Sequence, residues 1–236
     1  MDSFRIAMSE LIEWCDATLK NYQNNSQVNV IFNLTGSFKS VNGFLQAVGM
    51  FYADECVYIF QFSSELLRIP RLPITLDSTG VIEQHLTTFR QLEYQQLPLS
   101  QCQGIPETLL FRDGEFVGLS EWGKLLWKQA KSNYYERELL LPWSSKLVYS
   151  TEFGNSVERV QPDRLFTLNE RLDDLSRYLE TNGQENPRKL DFKQLKGKPF
   201  EDSTYECDVW GDRGDRIFGH YLANGRYQCD RLGKHL

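Results

Sequence analysis

The chain has 236 residues, 41% of them hydrophobic and 25% charged, with a formal net charge of −6. That balance suits one large or two smaller globular domains and excludes a disordered or low-complexity chain. No apolar run reaches the roughly 18 residues of a membrane span, and the opening Met1-Asp2-Ser3-Phe4-Arg5, followed by Glu10 and Glu13, does not read as a signal peptide, so a cytoplasmic protein with no membrane contact is expected.

Residues 3–22 place Phe4, Ala7, Met8, Leu11, Ile12, Cys15, Leu19 and Tyr22 on one stripe behind a capping Ser3, which predicts an amphipathic helix. A β-branched run (Val28, Val30, Ile31, Phe32, Leu34) then meets the turn Asn33-Leu34-Thr35-Gly36-Ser37-Phe38-Lys39. A helix-period stretch follows, with Val41, Phe44, Leu45, Val48, Phe51 and Tyr52. Strand, tight turn and helix together form an anion site, because free N–H groups and the positive end of the macrodipole meet there. Gly36 permits close backbone approach, and Thr35, Ser37 and Lys39 add donors. The same pattern also suits a turn with no ligand, and the residues alone do not separate the two. It is not a Walker loop, which needs four residues between its glycines and then Gly-Lys.

Residues 57–62 read as a second buried strand. Residues 66–76, LLRIPRLPITL, carry two prolines and read as a sheet edge or a lining loop. Residues 81–92 predict a helix, residues 108–119 a hairpin around Asp113-Gly114, and Ser120 caps a helix through Lys131 with Glu121 in its first turn. The alternation argues for an α/β sheet with helices on its faces, in which ligands sit beyond the carboxyl ends of the strands. The pattern loosens over 141–156. A long helix is then predicted over 162–181, with Leu165, Leu168, Leu172, Leu175 and Leu179 on one face and Asn182-Gly183 closing it. Short strands follow at 205–210, 216–222 and 226–229, the last two joined through Ala223-Asn224-Gly225.

A helix followed by antiparallel strands differs from the α/β pattern before it, which predicts two domains, 1–155 and 156–236. Residues 187–236 hold ten Lys/Arg against eight Asp/Glu, so an acidic body carries a mildly basic tail. A solvated mixed-charge surface gives similar counts. The five cysteines (Cys15, Cys56, Cys102, Cys207, Cys229) are scattered without metal-ligand spacing, as expected of reduced thiols, and three histidines argue against a histidine-rich metal site.

The first part resembles the CARF domains of CRISPR-associated effectors. The resemblance rests on strand-linked Asn33-x-Thr35-Gly36-x-x-Lys39, then Gly43-Phe44, Tyr58-Ile59-Phe60, Ile69-Pro70-Arg71-Leu72-Pro73-Ile74 and Phe111-Arg112-Asp113-Gly114, in order over about residues 5–130. Ser37 stands where the family commonly has a second glycine. Family members usually begin with a strand that carries a hydroxyl-rich loop; here a helix comes first, so either that strand is replaced or half of the usual ligand site is missing. The resemblance implies a Rossmann-like sensor that binds cyclic oligoadenylate, most often cyclic tetra-adenylate, across a two-fold homodimer interface. It implies ligand contacts from Asn33, Thr35, Gly36, Ser37 and Lys39, with Lys39 as a point charge on a phosphate. Arg71, with Arg68 near it, is either a further ligand contact or an exposed edge charge.

The last part is similar to RelE/ParE-type toxins. The matching residues are Phe192-Lys193-x-Leu195-Lys196-Gly197-Lys198-Pro199, Tyr205, Arg216-Ile217-Phe218 and Arg231-Leu232-Gly233-Lys234-His235-Leu236, over about residues 160–236. This similarity implies a small α+β domain that cuts mRNA on the ribosome without metal or cofactor. The 2′-hydroxyl attacks its own phosphate and leaves a 2′,3′-cyclic end. That chemistry needs a base, positive charge for the phosphorane and an acid for the leaving oxygen. Arg216 takes the phosphorane role unless it is only paired to Asp212 or Asp215, and His235 is the candidate acid. The base stays open: Lys193 or Lys196, since crowding lowers a lysine's pKa, a carboxylate from Glu206 or Asp208, or no base at all. Relatives carry lysines where this chain has Glu206 and Asp208. Lys198, Arg226, Arg231 and Lys234 are expected on RNA backbone, and His220 reads as structural.

Together the two resemblances imply an ancillary effector of type III CRISPR antiviral defence. Cyclic tetra-adenylate would act as allosteric activator of a ribosome-dependent mRNA endoribonuclease. Two other functions fit the same residues: a sensor with a non-catalytic ParE-like binding domain, and a ring nuclease using Thr35, Ser37 or Lys39.

Overall fold

The structure is a computed structural model that describes residues 2–19, 21–22, 27–36, 38–60, 62, 65–72, 79–196, 200, 202–211 and 214–234. It is a mixed α/β protein with three sheets among the described residues. The chain divides into two compact units, Met1–Ser78 with Glu121–Leu125, and Thr79–Ser120 with Leu126–Leu236.

The first unit runs α1 (Asp2–Leu19), β1 (Ile31–Asn33), α2 (Lys39–Tyr52), β2 (Glu55–Ile59) and β3 (Leu66–Pro70). Its sheet has the order β1-β2-β3. β1 and β2 are parallel, with Ile31 opposite Glu55 and Asn33 opposite Val57, so the chain must cross over between them, and α2 is that crossover. β3 is antiparallel to β2 and forms the edge, with Pro70 as its last residue, as the two prolines predict. The expected strand over 28–34 contracts to three residues. Asp54 takes over before it: its carboxylate accepts from Val30 N–H at 2.8 Å, and its backbone N–H donates to Val30 at 2.8 Å. Ile12, Cys15, Val48, Tyr52 and Leu125 form the core, with Trp122 packed on Phe44 at 5.2 Å. Gly49 lets α2 lie close to β2, since a Cβ there would stand 2.4 Å from Cys56 Sγ.

The second unit begins with α3 (Thr79–Gln84) and α4 (Leu86–Tyr94), where one helix is expected. They part at His85, whose φ of −122° and ψ of 25° leave the helical region. β4 (Leu97–Pro98), β5 (Leu110–Asp113) and β6 (Phe116–Leu119) form a sheet ordered β4-β6-β5. The predicted Asp113-Gly114 hairpin is present, with Gly114 at φ 62°. Then come α5 (Glu121–Tyr135), β7 (Leu147–Tyr149), α6 (Thr151–Val157), α7 (Pro162–Glu180), β8 (Lys193–Gln194), β9 (Tyr205–Trp210), β10 (Asp215–Tyr221) and β11 (Tyr227–Lys234). The sheet order is β7-β11-β10-β9-β8, antiparallel except for β7, which lies parallel to β11. Ser150 caps α6 by accepting from Phe153 N–H at 3.0 Å, and Pro162 opens α7. All five cysteines of the chain are free and buried; burial, with the Asp16 charge beside it, pushes the Cys15 thiol up to about 11.

The leucine stripe of α7 packs as predicted, joining Phe153, Val157, Cys207, Ile217 and Cys229 in one core. Its other side is polar and also buried. Asp173 is 0% exposed, and Arg90 donates to it from Nη2 at 2.5 Å and from Nε at 3.3 Å, with the Tyr135 hydroxyl as a third donor. Asn169, also 0% exposed, accepts from Leu140 N–H at 3.0 Å and donates to the Tyr135 and Glu138 carbonyls at 2.9 Å. Lys131 reaches Glu93 at 2.8 Å and Glu170 at 2.9 Å. These bonds bolt α7 to α4 and α5.

Removing one partner of a buried pair strands the other. Asp173→Ala is therefore expected to cost about 3–5 kcal/mol in urea unfolding, and the double variant Arg90→Met with Asp173→Leu less than Asp173→Ala alone. Burial opposes the Lys131 charge, but Glu93 and Glu170 outweigh it and raise its pKa above the ordinary 10.5. The folded protein therefore holds this proton more tightly than the unfolded chain. The stabilisation is full below the unfolded value and is lost as pH rises through the folded one. Denaturation midpoints measured through the alkaline range should fall less steeply in Lys131→Met than in the parent.

Candidate functional site

Two places carry the residues singled out by sequence. The first is the turn between β1 and α2. Leu34 is buried, and its N–H donates to Val57 at 2.9 Å, extending the β1–β2 ladder by one residue. Asn33 Oδ1 accepts from Thr35 N–H at 3.0 Å, the local bond of an Asx turn. Thr35 Oγ1 accepts from Ile59 N–H at 3.0 Å, which ties the turn to the carboxyl end of β2. Gly36 holds φ at 79° with open space around the Cβ position, so glycine serves backbone conformation there rather than packing. α2 then starts with no side-chain cap and no acidic residue in its first turn, and Lys39 stands exposed at its head. An uncapped helix N-terminus beside a lysine is complementary to an anion. Asn33 and Thr35 spend their acceptor oxygens on shaping the turn; the Thr35 hydroxyl proton and the Asn33 amide remain as donors. Ser37 lies outside the described residues.

Exposed apolar side chains rim this turn: Phe38 at 83%, Phe60 at 67%, and Ile59, Leu66 and Leu67. Arg71 is elsewhere. Its N–H donates to Asp54 O at 3.0 Å, at the amino end of β2, three residues from the Asn33–Val57 pair and so about 10 Å away along the strand. Arg68 faces Val57 in register and is paired to Glu55 at 2.5 Å. Within one chain, Arg71 and the turn are not brought together.

The second place is the face of the five-stranded sheet opposite α7. Ile217, Cys207 and Cys229 point into the α7 core, so alternation sends Arg216, Phe218 and His220 to the other face. Register adds a lateral row across four strands, Lys193, Glu206, Phe218 and Arg231. Arg216 sits two residues along, opposite Asp208 and Gly233, and His220 lies opposite Gln228. Arg216 Nε is 2.9 Å from Asp208 Oδ1, and Nη1 donates to the Asp215 carbonyl at 3.2 Å. Among the described residues its carboxylate partner is Asp208 on the neighbouring strand, which pairing in the sheet decides; Asp212 lies outside them. Arg231 lies 4.5 Å over the Phe200 ring, which packs on Phe218 at 4.9 Å, and reaches Glu152 at 3.3 Å.

Lys193 is tied to carboxylates. A hydrogen bond to Asp191, with the Asp191, Glu206 and Asp208 charges around it, raises its pKa and keeps it protonated. Lys196 is exposed beyond β8, and Lys234 is exposed opposite Asp215 at the Arg216 end of the sheet. Arg226 is at the other end, in a cleft of about 850 Å³ with Lys146 and Tyr178. Its Nε donates to the Ser145 carbonyl at 3.1 Å. Lys198 and His235 lie outside the described residues.

The sequence reading missed a cluster on this face. Asp230, 6% exposed, accepts from Ser203 Oγ at 2.8 Å and Gln228 Nε2 at 3.0 Å, and its Oδ2 is 2.8 Å from His220 Nδ1. The available signal was position alone: His220 and Asp230 flank the predicted Ala223-Asn224-Gly225 turn on two strands that must pair.

No helix among the described residues is long and apolar enough to cross a membrane. No curated protein matches the chain. Residues 1–72 match the family model described as CRISPR-associated protein (Cas_APE2256). The matched stretch runs from α1 through β3 and includes the 33–39 turn, so the part of the chain that carries the anion-complementary turn is similar to CRISPR-associated, CARF-like proteins, which supports a CRISPR-related role.

Proposed function

We propose that this chain is an ancillary effector of a type III CRISPR system, in which a cyclic oligoadenylate activates a metal-independent endoribonuclease that cuts mRNA on the ribosome. The observation that carries the proposal is the 33–39 turn: an uncapped helix start with Gly36 and Lys39, in the stretch similar to CRISPR-associated proteins. A cyclic tetra-adenylate ring has matching halves. A homodimer would give each half its own turn, with a ring phosphate at the α2 N-terminus and on Lys39. The exposed Phe38, Phe60 and Leu67 beside the turn suit burial between two copies. Ring binding controls the output only to the extent that it favours one state over another.

The output is assigned to the sheet face opposite α7. The Arg216 guanidinium, tethered through Nε to Asp208, offers its remaining N–H groups to a phosphorane. Arg231, aligned over Phe200, offers a second cation beside an aromatic platform on which a base can stack. A non-catalytic binding domain is the second reading. It is favoured by the near balance of charge on this face, where Glu206, Asp208 and Asp230 offset Lys193, Arg216 and Arg231.

Two measurements test the proposal. Calorimetric titration with cyclic tetra-adenylate should show Lys39→Ala binding about 10–100-fold more weakly, the loss of one charge-assisted contact; equal affinity would remove the turn from the ligand site. Incubation with activator and translating ribosomes should give codon-phased mRNA ends that fall about 10²–10³-fold in Arg216→Ala. No cutting with any activator would leave the binding-domain reading.

A further inference from the structure

The proposed transesterification needs a base. Lys193 is held protonated by Asp191, and Lys196 stands exposed beyond the sheet. The His220–Asp230 cluster is unused by the reading so far. Resting on that reading, we infer that His220 is the general base that takes the proton of the attacking 2′-hydroxyl, and that Asp230 and Ser203 position it.

The geometry fits this role in three ways. The Asp230 carboxylate is nearly buried and acts as an acceptor for Ser203 and Gln228, so its orientation is fixed from two sides. In this role, with the Asp230 carboxylate as acceptor, the ring proton sits on Nδ1 of His220 and the Nε2 lone pair is left for the substrate. Nε2 makes no hydrogen bond with the described residues, and the side chain is one-quarter exposed. Among the described residues, the groups facing His220 are Asp230 and Gln228 on β11 and Ser203 ahead of β9. Glu206 and Arg231 stand in the next row.

The cluster is not a serine nucleophile site. Ser203 Oγ donates to Asp230, on the same Oδ2 that faces the imidazole. A serine nucleophile would have to sit on Nε2 instead. Ser203 is therefore a positioning residue.

Arg231 is the cation placed to share a phosphate with His220. In the ladder Phe218 faces Arg231 but Gly219 faces Cys229, so Asp230 is an extra residue in β11. The bulge brings Asp230 and Arg231, neighbours in sequence, to one face. Arg231 becomes diagonal to His220 across the strand pair, a spacing of about 7–8 Å between backbones. In the step, Nε2 takes the 2′-hydroxyl proton, the 2′-oxygen bonds to phosphorus, and the bond to the 5′-oxygen breaks. That oxygen leaves with a proton from an acid or water, and the imidazolium returns its proton to solvent.

The test uses the full chain with cyclic tetra-adenylate, translating ribosomes and an mRNA that carries a bridging 5′-sulfur at a mapped cut site. Sulfur leaves without protonation, so the base step is isolated. His220→Gln, which keeps a donor for Asp230, should lose about 10²–10⁴-fold on oxygen and sulfur substrates alike. Ser203→Ala should lower kcat with KM unchanged, and it serves as the second variant if His220→Gln melts below assay temperature. A parental rate in His220→Gln, or in Ser203→Ala where that variant stands in, beside an inactive Arg216→Ala, overturns the inference and leaves the ribonuclease standing. Restoration of His220→Gln by sulfur makes His220 the acid and equally overturns it. A parent inert on both substrates overturns the ribonuclease reading and this inference with it.

Discussion

The Asp173 carboxylate, with no exposure to water, is the constraint around which the second unit is arranged. A charge in that position is tolerable only when paired and hydrogen-bonded. Arg90 of α4 and the Tyr135 hydroxyl at the end of α5 satisfy it, and Asn169 one turn earlier on α7 satisfies the backbone where α5 ends. α7 is thereby buried on two sides, one by leucines against the sheet and one by polar bonds against helices. A helix held on both sides gives the sheet a rigid backing.

The sheet face opposite α7 is where sequence neighbours are rearranged. Alternation along a regular strand would send Asp230 and Arg231 to opposite sides. The single extra residue in β11 overrides this and places both on the face that already carries Arg216 and His220. The result is a face whose polar side chains are individually tethered: Arg216 by Asp208, Arg231 by Glu152, His220 by Asp230. Tethering removes rotamer freedom before any ligand arrives, and such preorganisation is what electrostatic stabilisation of a transition state requires. It also lowers the net charge, so this face offers little general attraction for free nucleic acid.

The first unit solves a simpler problem. A parallel pair of short strands needs its ladder finished at both ends. Asp54 does this at one end with side chain and backbone. Thr35 does it at the other by accepting from Ile59. Because threonine's oxygen closes the ladder, the turn is held without capping the helix that follows, and the α2 N-terminus stays open to an anion.

Periodicity and turn chemistry carried much of this fold in the sequence itself. The 3.6-residue leucine pattern located α7, Asp113-Gly114 and Ala223-Asn224-Gly225 located two hairpins, the two prolines marked the edge strand, and the 33–39 turn stood out between β-branched and helical runs. Arg216 and Arg231 were legible as cations on strands. These are local signals, set by backbone sterics and by the hydrophobic period. Only the tertiary structure decided the rest. Asp173 and Asn169 look like solvated helix positions until α4 and α5 bury them, and β7 joins its sheet by a parallel pairing some eighty residues distant. The Asp230 bulge, the Asp208 partner of Arg216 and the His220–Asp230 pair all depend on strand register. Register is fixed by contacts between strands, and no single stretch of sequence contains them.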